Sequence, residues 1–305
     1  MVGSVPYFYF RHFSICCVIE MSGNILIINS DKSFFEKEIG GHLTHFNGVL
    51  LGFIKNEWNV DVITMANCEI PIDYKPNSHL CCSSSWFIFA NYIIAKFRSS
   101  YDIVYIRYKP RHFFILFLLR LIFFNTKLIL EVNTPAFFRN SLLKSIERII
   151  FRLPTHVIVV SQNIYDSLLK NSFSLRNIII LENGVAPHFF YDYRSQMPRN
   201  YLYAYFGVIK EDYDLDILIE SFLMFNVSHP LTQLHIYGNG PYLQILRKLL
   251  GKYPNSNSVS FMGVIPHSLI PASMSKYDVL CYPQSITNGY GSSIKLKEYM
   301  CSNRI

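Results

Sequence analysis

Charge is scarce in this sequence: only 16% of its 305 residues are charged, while 50% are hydrophobic. That balance, with a mean hydropathy of +0.21, excludes intrinsic disorder. Long apolar runs are missing as well. The greasiest stretch, "FFILFLLRLIFF" at residues 113–124, is interrupted by Arg120. It falls well short of the roughly 20 apolar residues that a spanning helix requires, so no transmembrane helix is expected. The seven cysteines include no Cys-x-x-Cys, which excludes the common zinc and dithiol redox spacings. No block of Lys and Arg marks a nucleic-acid groove, and no Gly-x-Gly-x-x-Gly marks a dinucleotide turn. The first twenty residues lack the basic, apolar and cleavage regions of a signal peptide; residues 1–20 are expected to be an extension outside the fold, with Met21 as a natural start.

What is present points to a layered α/β protein. A chain of this length can hold two domains of ordinary size. From Met21 on, short β-branched runs alternate with helical patterns, as in a parallel sheet wrapped by helices. Strands are predicted at 25–29, 60–64, 103–107, 127–132, 156–161 and 177–181. Between the first two, Leu43, Phe46, Leu50 and Phe53 recur at the spacing of a buried helical stripe. A polar, proline-containing stretch at 182–200 then breaks the pattern. The alternation restarts with predicted strands at 202–206, 233–237, 259–261 and 279–282 and helices near 215–226, 242–253 and 268–276. This predicts a first domain over 21–190 and a second over 191–305, two Rossmann-like halves with a ligand cleft at the carboxyl ends of their strands.

Three motifs have ligand chemistry. "GGHLTH" at 40–45 places Gly40 and Gly41 at the start of the amphipathic helix, where backbone N–H groups can approach an anion; His42 and His45 have no third ligand nearby and predict no metal site. "EDYDLD" at 211–216 looks like a metal-binding Asp-x-Asp, but acidic residues ahead of an apolar-periodic run are what a helix start prefers, so Asp214 and Asp216 are assigned to capping and dipole complementation. "GYGSSIKLKEYM" at 289–300 is the richest. Ser292 or Ser293 can cap a helix, Lys295 falls in its first turn, and Glu298 follows one turn later, able to accept hydrogen bonds from sugar hydroxyls. The net charge of +7 suits phosphates or acidic membranes. The apolar segment at 113–124, flanked by Lys109, Arg111 and Lys127, is also fit to lie in an anionic membrane surface.

Together "GGHLTH", "EVNTP" (131–135), "HVIVVS" (156–161), "ENGV" (182–185), "YGNGP" (237–241), "VSFMGVIP" (259–266), "YDVLCYPQ" (277–284) and "SSIKLKEYM" (292–300) resemble, in order, the retaining glycosyltransferases of family four, of the glycosyl transferases group 1 type. The resemblance implies the GT-B fold, two Rossmann-like domains facing a cleft. It implies transfer of a sugar, with retention, from a nucleotide-diphosphate donor on the second domain to an acceptor held mostly by the first, without an essential metal or other cofactor. By the same resemblance Glu298 binds the donor ribose, Ser292, Ser293 and Lys295 face the diphosphate, and Gly40 and Gly41 close on the donor. Lys210 is a further candidate for the diphosphate. No catalytic residue is assigned. The expected partners are a nucleotide-sugar donor and a glycan or lipid-linked acceptor of a cell-surface polysaccharide or glycolipid, with peripheral membrane contact and no nucleic acid; the expected place is the cytoplasm, peripheral to the inner face of the plasma membrane.

The departures from the family pattern matter equally. Gly207 is followed by Val208 where an arginine is expected, Tyr213 stands for a lysine, Tyr290 for a glutamate, and Ala186 for the aspartate of "NGVD". The family chain continues beyond "EYM"; this one ends at Ile305, so a C-terminally truncated, incomplete second domain with an unpaired sheet edge is expected. The competing reading is a catalytically inactive fragment or pseudoenzyme.

Overall fold

The computed structural model of the chain describes residues 22–29, 41–64, 76–81, 91, 94, 100–109, 113–135, 143–173, 177–185, 189, 201–283 and 293–302. The chain divides into two compact units with a break between Leu181 and Glu182, except that the start of the first long helix, through Gly48, is grouped with the second unit.

The first unit is a seven-stranded parallel sheet. Its strands are β1 (Asn24–Asn29), β2 (Asn59–Thr64), β3 (Ser78–Cys81), β4 (Ile103–Arg107), β5 (Lys127–Val132), β6 (His156–Val159) and β7 (Ile178–Ile180), in the order β3-β2-β1-β4-β5-β6-β7. Helices α1 (Gly41–Lys55), α2 (Phe113–Ile122), α3 (Lys144–Ile150) and α4 (Gln162–Lys170) connect them. Because parallel crossovers are right-handed, the α1 connection from β1 to β2 and the connections from β4 onward lie on opposite faces, and the order reverses between β1 and β4. Of the predicted stripe on α1, Phe46, Leu50 and Phe53 are buried, and Phe53 meets Trp58 edge-on at 5.7 Å. Ile115, Leu116, Leu119 and Phe123 fill the other face with Ile150, Ile164 and Leu168.

Strand β3 was not predicted, and the reason is chemical. "SHLC" has no apolar alternation; its place on the sheet edge is fixed by polar pairs with β2. The Ser78 hydroxyl donates to Asp61 at 2.6 Å and Thr64 pairs with His79 at 2.8 Å.

The second unit is a four-stranded parallel sheet, β8 (Leu202–Phe206), β9 (Gln233–Tyr237), β10 (Val259–Gly263) and β11 (Val279–Leu280), ordered β10-β9-β8-β11. Helices α5 (Leu215–Ser228), α6 (Leu243–Leu250), α7 (Ile270–Met274) and α8 (Ile294–Cys301) complete it. Residues of β8 alternate between two cores. Tyr205 packs with Leu215, Ile219 and Phe222, whereas Ala204 and Phe206 pack with Met274, Tyr277 and Tyr299. Asp216 lies in the first turn of α5 as expected, but Asp214 does not cap that helix: its backbone is left-handed (φ 48°) and its side chain makes no cap hydrogen bond. A 3-10 turn at Glu211–Tyr213 runs directly into α5 and leaves no extended residue from which the carboxylate could reach back.

Candidate functional site

The carboxyl ends of β8 and β9 are stitched by glycines. The Gly207 N–H donates to the Tyr237 carbonyl at 3.0 Å, and the Ile209 N–H donates to Asn239 at 2.9 Å. Gly238 (φ +129°) comes so near that a Cβ on it would strike the Gly207 carbonyl. "YGNGP" is therefore the strand-to-helix turn leading into α6 at Leu243.

Helix α8 is fastened to the same end of the sheet. Parallel pairing of β11 with β8 reaches only Ala204, so the last residue of β8 lacks a strand neighbour on that side. Tyr299 takes over. Its hydroxyl accepts from the Phe206 N–H at 2.7 Å and donates to the Phe206 carbonyl at 3.1 Å, replacing a strand by one phenol. At its exposed side Lys297 donates to the Glu182 carboxylate at 2.6 Å and to the Asn183 carbonyl at 2.9 Å, tying "ENGV" to α8.

Those two anchors set the helix start. Ser293 is the N-cap, and its hydroxyl accepts from the Leu296 N–H at 3.2 Å. With the Lys297 N–H bonded to the Ser293 carbonyl, the amides of Ile294 and Lys295 are the first-turn donors that the helix does not use. Lys295 turns back over the end of β8. Its ammonium donates to the Tyr205 hydroxyl at 2.7 Å and lies 4.2 Å from the Tyr205 ring centre, 4.6 Å from that of Tyr213 and 6.0 Å from that of Tyr282. The lysine occupies the space over Gly207: a Cβ there would sit 2.6 Å from the Lys295 Cε and would displace the end of that side chain. Burial lowers the Lys295 ammonium to about 7, with Glu298 pulling it partly back up. Glu298, one turn further on, is itself buried.

The structure thus brings Ser293, Lys295 and Glu298 together on one helix. Lys210, just beyond the end of β8, is exposed, and its side chain makes no hydrogen bond or ion pair among the described residues. Gly41 is the first residue of α1. Gly40 and Ser292 lie outside the described residues, as do Ala186 and Tyr290. Tyr205, Tyr282, Gly207, Lys297 and Tyr299 were missed by sequence reasoning. Tyr213, marked only as a lost cation, is one wall of the box around Lys295.

In the first unit, a separate polar centre lies at the carboxyl ends of β4 and β5. Glu131 is buried and accepts from the Tyr105 hydroxyl and the Asn133 side-chain amide, with the Arg107 guanidinium 3.7 Å away. Tyr108, from the same end of β4, donates to the buried Glu147 at 2.6 Å. Among the described residues no group of His, Cys, Asp or Glu could hold a metal ion.

Residues 195–303 match the family Glycosyl transferases group 1. This segment, a glycosyltransferase domain, takes in the whole of the second sheet and α8. The chain has the fold of GT-B glycosyltransferases. It superposes on HepE of Anabaena, a structure with UDP and glucose, with a TM-score of 0.65 at 13% identity over 92% of this chain and 78% of that one. Against sucrose-phosphate synthase of Thermosynechococcus elongatus the TM-score is 0.63 at 16% identity, covering 87% and 77%. Against the catalytic domain of starch synthase IV from Arabidopsis thaliana, bound to ADP and acarbose, it is 0.58 at 10% identity, covering 86% and 78%. A comparison with curated proteins finds no match.

Proposed function

We propose that this chain transfers a sugar, with retention, from a nucleoside-diphosphate donor held by the second unit to a glycan or lipid-linked acceptor of a cell-surface polysaccharide or glycolipid. The observation that carries the reading is the Lys295 ammonium at the end of β8, beside the two unused amides that open α8. As the bond to the sugar breaks, negative charge grows on the leaving diphosphate. Fixed N–H dipoles and one cation can stabilise it without a metal, and they need little reorganisation when the charge appears. Lys295 supplies the charge that Val208 and Tyr213 do not. Glu298 takes the donor ribose hydroxyls, and the Glu131, Asn133 and Arg107 centre of the first unit faces acceptor hydroxyls. Cys281 and Cys301 are free thiols, which fits a cytoplasmic setting.

Calorimetry with UDP, ADP and GDP tests the donor half. Binding of one nucleotide that Lys295→Met weakens at least about tenfold supports it; no nucleotide binding by folded protein overturns it. A second reading, a donor-binding protein without turnover, is favoured by Val208 and Tyr213 standing where cations are expected. Sugar transfer to any acceptor in a panel, or donor hydrolysis, decides between the two.

A further inference from the structure

Helix α5 is apolar on two sides. Its inner side, Leu215, Ile219, Phe222 and Leu223, is buried in the core of the second unit. Its outer side carries a second stripe: Ile217 is 59% exposed, Met224 75% and Leu231, in the turn just past the helix, 70%. Ser221 and Ser228, between them, are exposed as well. The spacing of 217, 221, 224 and 228 sets all four along one line of the helix. The turn that holds Leu231 is fixed to the helix. The Asn226 side-chain amide donates to the Thr232 carbonyl at 3.0 Å, and the Thr232 hydroxyl donates to the His229 carbonyl at 2.7 Å. An exposed apolar stripe of this length marks a contact surface.

Charge narrows what covers it. From Ile217 to Gln233 the chain has no lysine or arginine. Its single carboxylate there, Glu220, is turned aside to Tyr253, whose hydroxyl donates to it at 3.0 Å. Lipid headgroups and nucleic acids are met through cations, which this stretch does not supply. No helix among the described residues is long and apolar enough to cross a membrane. The chain as a whole carries +7, so two copies of it approach with least repulsion through a face that brings no charge of its own.

The order of the side chains names the partner. From Ile217 through Ser221, Met224 and Ser228 to Leu231 the stripe runs large, small, large, small, large, and it reads the same in reverse. A two-fold contact requires such self-complementarity. With the axis at Met224, antiparallel copies of α5 set Ile217 of each opposite Leu231 of the other. The two Met224 side chains meet at the centre, and the serines leave the helix backbones room to approach.

We infer that the outer face of α5 is a two-fold contact between two copies of this chain. The 14 residues of α5, at a rise of about 1.5 Å each, make a contact about 21 Å long. One helix pair of that length buries less than the roughly 1,600 Å² of a standard interface, so the dimer is reversible, with a dissociation constant on the order of 10 μM. The inference does not rest on the donor reading.

Sedimentation equilibrium of the full chain tests it, over about 1 to 200 μM, a range that brackets such a constant. The average mass should climb from monomer toward dimer across that range. Met224→Glu sets two carboxylates against each other on the axis and should weaken association at least about tenfold. Ile217→Lys and Leu231→Glu should each weaken it by a smaller factor. Combined in one chain they place each new lysine opposite a new glutamate, and association should recover most of the loss, a result that damage to the fold would not give. All four variants should keep the circular dichroism of the parent. A chain that stays monomeric up to about 200 μM overturns the inference. So does a dimer that Met224→Glu leaves intact, a double variant that associates no better than the single ones, or a monomer whose α5 face binds lipid vesicles instead.

Discussion

Lys295 is held in an unusual place for a cation, over tyrosine rings and, among the described residues, with no acidic group bonded to its ammonium. The groups that face it are the hydroxyl of Tyr205, the rings of Tyr205, Tyr213 and Tyr282 and, from its own helix, Glu298. Its pKa falls from 10.5 in the unfolded chain to about 7 in the donor-free fold. Between those values the unfolded state carries the extra proton, so this lysine makes the free protein gain stability as pH rises from about 7 toward 10.5. A diphosphate reverses the preference, because it favours the charged amine. Donor affinity should therefore fall as pH rises above about 7, by up to about tenfold per unit, with net proton uptake on binding. Titrations in two buffers of different ionisation enthalpy measure that uptake, and Lys295→Arg should abolish it because guanidinium does not titrate there. Gly207→Ala should act on the same atom from the other side. The added methyl takes the space of the Lys295 Cε, and nucleotide affinity should drop about as far as in Lys295→Met.

At the scale of elements, α8 depends on two contacts of different kinds. Tyr299→Phe leaves the N–H and carbonyl of Phe206 without partners in a buried place and should cost about 1–3 kcal/mol in urea unfolding of the second unit. Lys297→Ala removes a partly exposed ion pair and should cost below about 1 kcal/mol, while loosening "ENGV" from the helix. Helix α8 and its polar residues were legible because cap, cation and glutamate are local in sequence. The strands of both sheets were legible from β-branched runs, although β11 proved two residues long where four were predicted, and α6 stops at Leu250. The tyrosine box was not legible. Tyr205, Tyr213, Tyr282 and Lys295 lie far apart along the chain, and nothing in the local pattern says that a lysine side chain will fold back over a strand end through the gap at Gly207. Strand β3 escaped for a related reason, since its pairing partners Asp61 and Thr64 are polar and distant. Asp214 failed as a cap because a 3-10 turn precedes it, a backbone detail that acidic composition does not encode.

For the molecule as a whole, the family match covers the second unit while fold similarity extends to the first. Glu298→Ala tests how the second unit works by itself: nucleotide binding should weaken by about 1–3 kcal/mol in calorimetry, the cost of orphaning a buried polar partner. The edge-on contact of Trp58 with Phe53 has a practical corollary. Both tryptophans of the chain, Trp58 and Trp86, precede the break at Leu181, so the half that carries Lys295 is free of indole. Indole emission during denaturation will watch only one half of the protein, and damage such as Tyr299→Phe can pass unseen in that signal while phenol absorbance near the box records it.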